Sequence, residues 1–322
     1  MVVKLIECDT LEITTLVDNQ IDALLPGEET VRRHPWGAAV RNPFIDAPSV
    51  RSSLVAEHGF SALVTAVAGE SRHTILFDAG VSPAGMISNM DRLEIGAKDL
   101  EALILSHGHF DHTGGIEGLV ERLGRVSMPL ILHPAAYTQR RAAVPGGQPT
   151  LLPPPSRSAL EGAGFELVEA SDPSVLFNDM LLVTGEVERS TAFEQGFPFF
   201  EREVNGRWEQ EAHLLDDQAL VANVRSKGLV VLSGCGHAGI VNIVRHAIAT
   251  TGEKRVHAIL GGFHLTGTFF EPSIAPTVAA FREFAPNVIV PAHCTGYKPQ
   301  MALAQAFPDA YVHNAVGTTY FL

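Results

Sequence analysis

Three cysteines in 322 residues, Cys8, Cys235 and Cys294, are too few and odd in number for a disulfide framework, so a reducing compartment is expected. No run of about 18 apolar residues occurs, which argues against a membrane-spanning helix. The N-terminal MVVKLIECDTLEITTLV is broken by charges and lacks the apolar stretch of a secretory signal. It reads as a first strand, and the cytoplasm is the expected location. Cations are scarce as well: 23 Lys+Arg stand against 36 Asp+Glu, a net charge of −13. Such a surface repels phosphate backbones and anionic lipid headgroups, and no basic stretch offsets it, so neither nucleic acid nor a membrane surface is expected as a partner. A G-x-S-x-G elbow is missing too, so the pattern indicates no serine nucleophile.

What the chain has is a core. It is 46% hydrophobic and 18% charged, with mean hydropathy +0.14, as expected of a globular protein. Short apolar runs read as strands at 11–18, 61–67, 74–80, 102–108, 129–134, 179–185, 219–224, 229–234, 256–262 and 288–293. Helical stretches fit between several of them, at 115–124, 239–252 and 274–286, the last bounded by Pro276 and Pro286. That alternation predicts a layered α/β architecture with large sheets. With no internal repeat and no clear linker, one domain over 1–322 is the economical reading. Three irregular excursions, 26–53, 144–157 and 193–213, look like surface insertions, of the kind that often serve as lids. Oligomeric state is left open, and a homo-oligomer is compatible with everything above.

The chemistry is concentrated in LILSHGHFDHTGG (103–115). An apolar strand runs into His107, Gly108, His109, Phe110, Asp111 and His112, then paired glycines and a helix. Alternate residues of an extended chain face the same way, so His107 and His109 project together onto one cation. Asp111 and His112 follow where the chain turns, and can face a second. Imidazole and carboxylate suit zinc, with manganese or iron as alternatives.

The His107-x-His109-x-Asp111-His112 motif resembles the signature of the metallo-β-lactamase superfamily. TILFDAG (74–80) is similar to the strand that precedes this motif there, and VIVPAHCTG (288–296) to its last histidine motif. EHGFSALV (57–64), LVTGEVERSTAFEQGFP (182–198), LSGCGHAGIVNIVRHA (232–247) and LGGFHLTG (260–267) resemble a subgroup labelled as dihydropterin-linked synthases. The resemblance thus covers most of the chain. It implies an αββα sandwich of two mixed sheets flanked by helices, with two divalent metal ions at one edge.

The ligands implied are His107, His109, Asp111, His112, His237 and His293, with Asp111 also the catalytic group that orients a water and relays its proton. Relatives carry a bridging carboxylate where this chain has Cys235. Either His237 or Cys235 ligates there, and the imidazole is favoured because it loses its proton at lower pH than a thiol. His264 and Glu186 are candidates for substrate contact or for supporting the ligands. Arg189 is a candidate for pairing with a substrate phosphate or carboxylate. Phe193, Phe197, Phe199, Phe200 and Trp208 could wall a ring-containing substrate. His58 and His133, like the other histidines outside the motifs, read as structural.

The activity implied is hydrolysis of a small-molecule ester, lactone, amide or phosphoester by water that divalent cations acidify. Two alternatives share the scaffold: an iron-dependent oxidoreductase and a pterin-related synthase or transferase. His109 counts against the flavodiiron branch, whose members carry Glu at that position.

Overall fold

The computed structural model describes residues 2–34 and 36–322. Two mixed β-sheets lie face to face with helices on both outer sides. The first has eight strands, in spatial order Glu166–Glu169, Pro129–Leu132, Ala102–Ile104, Ser71–Phe77, Ser61–Ala68, Thr10–Val17, Thr318–Phe321 and Val31–Arg33. The second runs Ser174–Leu176, Leu181–Val183, Ala219–Val224, Gly228–Ser233, Val256–Gly262 and Val288–Ala292, with Glu7–Cys8 pairing parallel to Ala219–Val224.

The strand alternation explains the four layers. Ile75 and Phe77 point between the sheets, where they meet Leu181, Leu220, Val230 and Leu260, while Leu76 points outward. Outside the first sheet, Leu76, Leu103 and Leu130 pack against Met86 and Met90 of helix Gly85–Arg92 and Leu119 of helix Ile116–Leu123. Outside the second, Val231 and Ile259 pack under Ile243 of helix Ile240–Thr251 and Phe281 of helix Ile274–Phe284. Each fully buried aliphatic side chain contributes roughly 1.5–3 kcal/mol of transfer free energy, and the period-2 pattern feeds three such clusters from two sheets. The αββα sandwich expected from the sequence is the fold observed.

The ten expected strands all form, with ends trimmed by up to four residues. Their last residues leave the sheet early because those residues are the site: the strand expected over 102–108 stops at Ile104, and the one expected over 288–293 stops at Ala292. The three excursions are more ordered than expected. Residues 26–53 supply an edge strand, Val31–Arg33, and a hairpin, Trp36–Val40 with Val50–Ser53. Thr150–Leu152 of the second and Phe200–Val204 and Arg207–Gln210 of the third join Arg140–Ala142, just outside the second, as a separate four-stranded sheet. Cross-strand pairing there overrides Pro- and charge-rich composition, a tertiary effect that local pattern does not carry. Helices Gly85–Arg92, Arg157–Ala163 and Tyr297–Ala306 are also present where the sequence pattern predicts none.

Candidate metal centre

The parallel strands place the chemistry. Asp78, His107, His237, His264 and His293 each follow the carboxyl end of a different strand, where loops converge at one edge of the sandwich. This is where open α/β sheets gather their ligands.

His107, His109 and His237 bring one ring nitrogen each into a cluster whose atoms lie within 4.8 Å of one another. His107, His112 and Cys235 form a second such cluster, and His58, Asp111 and His293 a third. Cys235 also groups with His237 and His264, and with His293 and Cys294. The candidate ligands are therefore one continuous patch, with Cys235 at its centre, 3.2 Å from His112 Nε2. The sequence left Cys235 and His237 as alternatives; the structure brings both in, with His237 completing the trio of His107 and His109.

Hydrogen bonding fixes which nitrogen each ring presents. The Ser106 hydroxyl donates to Asp78 Oδ2 at 2.7 Å, so its oxygen accepts from His107 Nδ1 at 2.9 Å. His107 Nε2 then carries the lone pair. Asp78 Oδ2 lies 2.7 Å from His112 Nδ1, a carboxylate–imidazole contact that puts the proton on Nδ1 and frees Nε2 toward Cys235. One buried carboxylate thus sets both tautomers. His107 Nε2 stands 3.0 Å from His109 Nδ1, a spacing that requires a proton or a cation between two lone-pair nitrogens.

For His107, His109 and His237 electrostatics point the same way, and His112 differs. Burial, reinforced for His107 by its histidine neighbours, holds the His107 and His237 imidazoles well below their usual range. Burial brings His109 down to about 3. Neutral imidazole is the form that ligates. Burial would lower His112 too, but Asp78 and Asp111 outweigh it and raise it to about 9. Burial would lift the Asp111 carboxyl, yet the neighbouring His112 and His293 imidazoles hold it far below the carboxylate range.

Whether the residues fit a cation can be judged from buried polar atoms. His109 Nε2, His237 Nε2, His264 Nδ1 and both ring nitrogens of His293 are buried without a hydrogen-bond partner. Orphaned buried polar groups are rare and call for an explanation. Here four rings carry orphaned nitrogens within one patch, a donor set that fits a metal cation.

The backbone is strained at this edge. His264 and His293 sit at φ +44° and +48°, a region that costs a non-glycine residue of order 1–3 kcal/mol. For His293 the offset is visible. Its N–H donates to Asp18 Oδ1 at 2.7 Å, and its carbonyl accepts from Asn19 Nδ2 at 2.9 Å. A hydrogen bond to a charged group contributes roughly 1.5–3 kcal/mol, enough to hold the turn. Gly108 is required by packing, since a Cβ there would collide with the Ala136 carbonyl. Its N–H donates to Asp216 Oδ2 at 2.8 Å, and Asp216 is in turn gripped by the fully buried Arg140.

Other expectations are redirected. Glu186 is exposed and joins none of the clusters; it lies past the end of strand Leu181–Val183, short of the converging loops. Arg189 donates through Nη1 to the His237 carbonyl at 2.9 Å, so it steadies the backbone of a candidate ligand. Trp208 stacks under Arg141, 4.4 Å from guanidinium carbon to ring centroid, and Phe199 packs on Phe197 and Phe269. Only Phe193, Phe197 and Phe200 of the five aromatics reach the cavity beside the site. His58, read as structural, instead stands with Nε2 3.7 Å from Asp111 Oδ2 and its ring 4.9 Å from that of His293. Asp78, Asp18 and Ser106 had no role in the sequence reading. TILFDAG flagged Asp78 only by position, and nothing local marks Asp18.

A mixed αββα sandwich that gathers histidines and an aspartate at the carboxyl ends of its strands defines the class, a metal-site protein of the metallo-β-lactamase fold. The sequence profile of the metallo-beta-lactamase superfamily matches residues 58–171, about a third of the chain. It is 29% identical over 272 residues to the 7,8-dihydropterin-6-methyl-4-(beta-D-ribofuranosyl)-aminobenzene-5'-phosphate synthase of Methanocaldococcus jannaschii, covering 83% of this chain and 90% of that one. A solved metal-dependent hydrolase of the beta-lactamase superfamily superposes with TM-score 0.70 at 24% identity, over 96% of this chain and 98% of the other. The metallo-beta-lactamase fold protein YhfI of Bacillus subtilis gives 0.52 at 12% identity, over 98% and 100%. At those identities the structural likenesses speak to the fold. No helix among the described residues is long and apolar enough to cross a membrane.

Proposed function

We propose that this chain is a metal-dependent hydrolase acting on a small-molecule ester, lactone, amide or phosphoester. The observation that carries the reading is the set of orphaned imidazole nitrogens on His109, His237, His264 and His293, aimed into one buried patch with Asp111 at its margin. His107, His109 and His237 would hold one divalent cation. Asp111, His112 and His293 would hold a second, with Cys235 between the two sets. Zinc is favoured by the nitrogen-rich donor set, with manganese and iron as alternatives. Such cations supply Lewis acidity and make water acidic enough to attack near neutral pH.

The chain's own residues do the rest. Asp78 and Ser106 hold the His107 and His112 rings so that Nε2 faces inward. Asp18 and Arg189 fix the backbone beside His293 and His237. Asp111 is the half-buried member of the set, placed to orient a water and accept its proton at Oδ2. His58 covers Asp111 from the solvent side.

The test is elemental analysis of the purified chain, followed by turnover of lactones, β-lactams, thioesters and phosphodiesters by zinc-, manganese- and iron-loaded protein. Metal bound in stoichiometric amount, lost in H107A and H112A, with chelator-sensitive hydrolysis, is the expected result. Unchanged hydrolysis after complete metal removal would defeat the reading.

A second reading, a pterin-related synthase or transferase, is favoured by the Methanocaldococcus relative's name and its coverage. Incubation with a pterin precursor and product analysis distinguishes it: carbon–carbon or carbon–nitrogen bond formation without net hydrolysis would replace the first reading.

A further inference from the structure

Beside His237 and His264 lies a cavity of about 230 Å³, walled mainly by Phe197, Phe200, Leu214, Phe263, Phe269 and Phe270. Its aromatic wall is knit edge to face, with Phe197 and Phe270 stacked. Phe197 has ring centroids 4.9 Å from Phe200, 5.4 Å from Phe269 and 5.5 Å from Phe270. The wall reaches the candidate metal centre directly: Phe200 lies 5.8 Å from His109, and Phe270 4.8 Å from His264. A cavity of 150 Å³ lined by apolar side chains suffices for benzene, so this one admits a larger ring or a chain of several carbons.

Apart from His237 and His264, which border the candidate metal centre, the cavity's polar side chains are engaged with the chain. Glu194 accepts from Val241 N and Asn242 N, each at 2.9 Å, at the start of helix Ile240–Thr251. The Ser273 hydroxyl donates to the Phe193 carbonyl at 3.0 Å, and the Gln195 amide donates to the Thr191 carbonyl. Among the described residues no lysine or arginine lines it. Arg140, near the site, is spent on Glu211 and Asp216, and Arg189, which donates to the His237 carbonyl, does not line the cavity. A charged group among these rings would lose its hydration with no lysine or arginine of the lining to pair with it.

We propose that this cavity binds the non-reacting part of the substrate, and that this part is uncharged and apolar, a ring or short acyl chain. The inference rests on the hydrolase reading above and narrows it. Phe197, central to the wall, is the specificity-determining residue.

The test uses the metal-loaded full chain and two independent readouts. The first is kcat/KM for 4-nitrophenyl acetate, butanoate and hexanoate, and for the 6-aminohexanoate and adipate monoesters. Burial of each methylene is expected to raise kcat/KM by up to about fourfold. A terminal ammonium or carboxylate is expected to cost about tenfold or more relative to hexanoate. The second is fluorescence of the neutral probe N-phenyl-1-naphthylamine on the protein, and its displacement by 1-naphthol. Saturable probe binding is expected, weakened in F197A, whose dependence on acyl length should also flatten.

Turnover that is flat with acyl length, or faster for the charged-end esters, would overturn the inference and leave the hydrolase reading standing. So would a probe that does not bind wild type. Saturable probe binding with no ester turned over under any metal would do the reverse, defeating the hydrolase reading while the apolar cavity survives.

Discussion

Asp78→Asn is the substitution that separates ligand positioning from everything else in this site. Asp78 is fully buried and accepts hydrogen bonds from Ser106 N and Ser106 Oγ at 2.7 Å each and from His112 Nδ1 at 2.7 Å. Its φ is +58°, a region asparagine tolerates better than most residues, so the backbone survives the change. An amide has one accepting end and one donating end. If its NH2 faces His112, the imidazole must move its proton to Nε2 and loses the lone pair aimed at Cys235. Rotation of the Ser106 hydroxyl toward His107 would then cost that ring its inward lone pair as well. Disturbing a ligand's supporting partner typically lowers metal affinity by about 10- to 100-fold, equivalent to roughly 1.4–2.7 kcal/mol at 1.36 kcal/mol per decade. If the NH2 faces Ser106 N instead, two buried donors confront each other and stability falls by about 1–3 kcal/mol. Zinc affinity by chelator competition and stability by urea denaturation read the two outcomes. A D78N protein with metal affinity within twofold of wild type and unchanged stability would refute the tautomer argument.

Arg140→Met should cost about 3–5 kcal/mol in urea denaturation, because it strands the buried carboxylates of Glu211 and Asp216; a cost below 1 kcal/mol would show that Asp216 needs no clamp to hold Gly108. Glu194→Ala should lower stability by about 1–3 kcal/mol by leaving Val241 N and Asn242 N unpaired, with Glu194→Gln falling between it and wild type. Burial pushes the Cys8 thiol from 9.0 up to about 11, so in the native chain at pH 8 only about one in a thousand Cys8 thiols is ionised, and labelling by a thiol reagent should require unfolding. Because the folded value lies above the unfolded one, Cys8 leaves stability untouched below pH 9 and weakens it as pH rises from 9 toward 11; C8A should lose that part of the alkaline slope.

The parts legible in the sequence share a property: their signal is local. Ile75, Leu76 and Phe77 alternate between the two core faces, and the run of His107, His109, Asp111 and His112 announces itself within six positions. The four-stranded outer sheet was illegible because Arg140–Ala142 finds its partners about 10 and 60 residues away, and neither neighbour has an apolar face to advertise. His58 was passed over for the same reason. Nothing in EHGFSALV shows that its ring will lie beside His293, 235 positions later.

Asp18 and Asp78 show where that limit bears on function. Each follows the last residue of a strand, and each spends its carboxylate on the histidine of another segment: His293 N for one, His112 Nδ1 for the other. A reading by residue type finds the ligands, because imidazoles at strand ends have few other uses. It does not find the carboxylates that orient them, because a buried aspartate after a strand is indistinguishable in sequence from a turn residue. The geometry removes that ambiguity: a buried charge is tolerated only when fully paired, and beside Asn314 and Ser106 the partners of these two include the backbone or ring of a candidate ligand. The same argument assigns an Arg189 nitrogen to the His237 carbonyl, so a basic side chain that residue type alone would give to a substrate anion also holds the backbone of a candidate ligand.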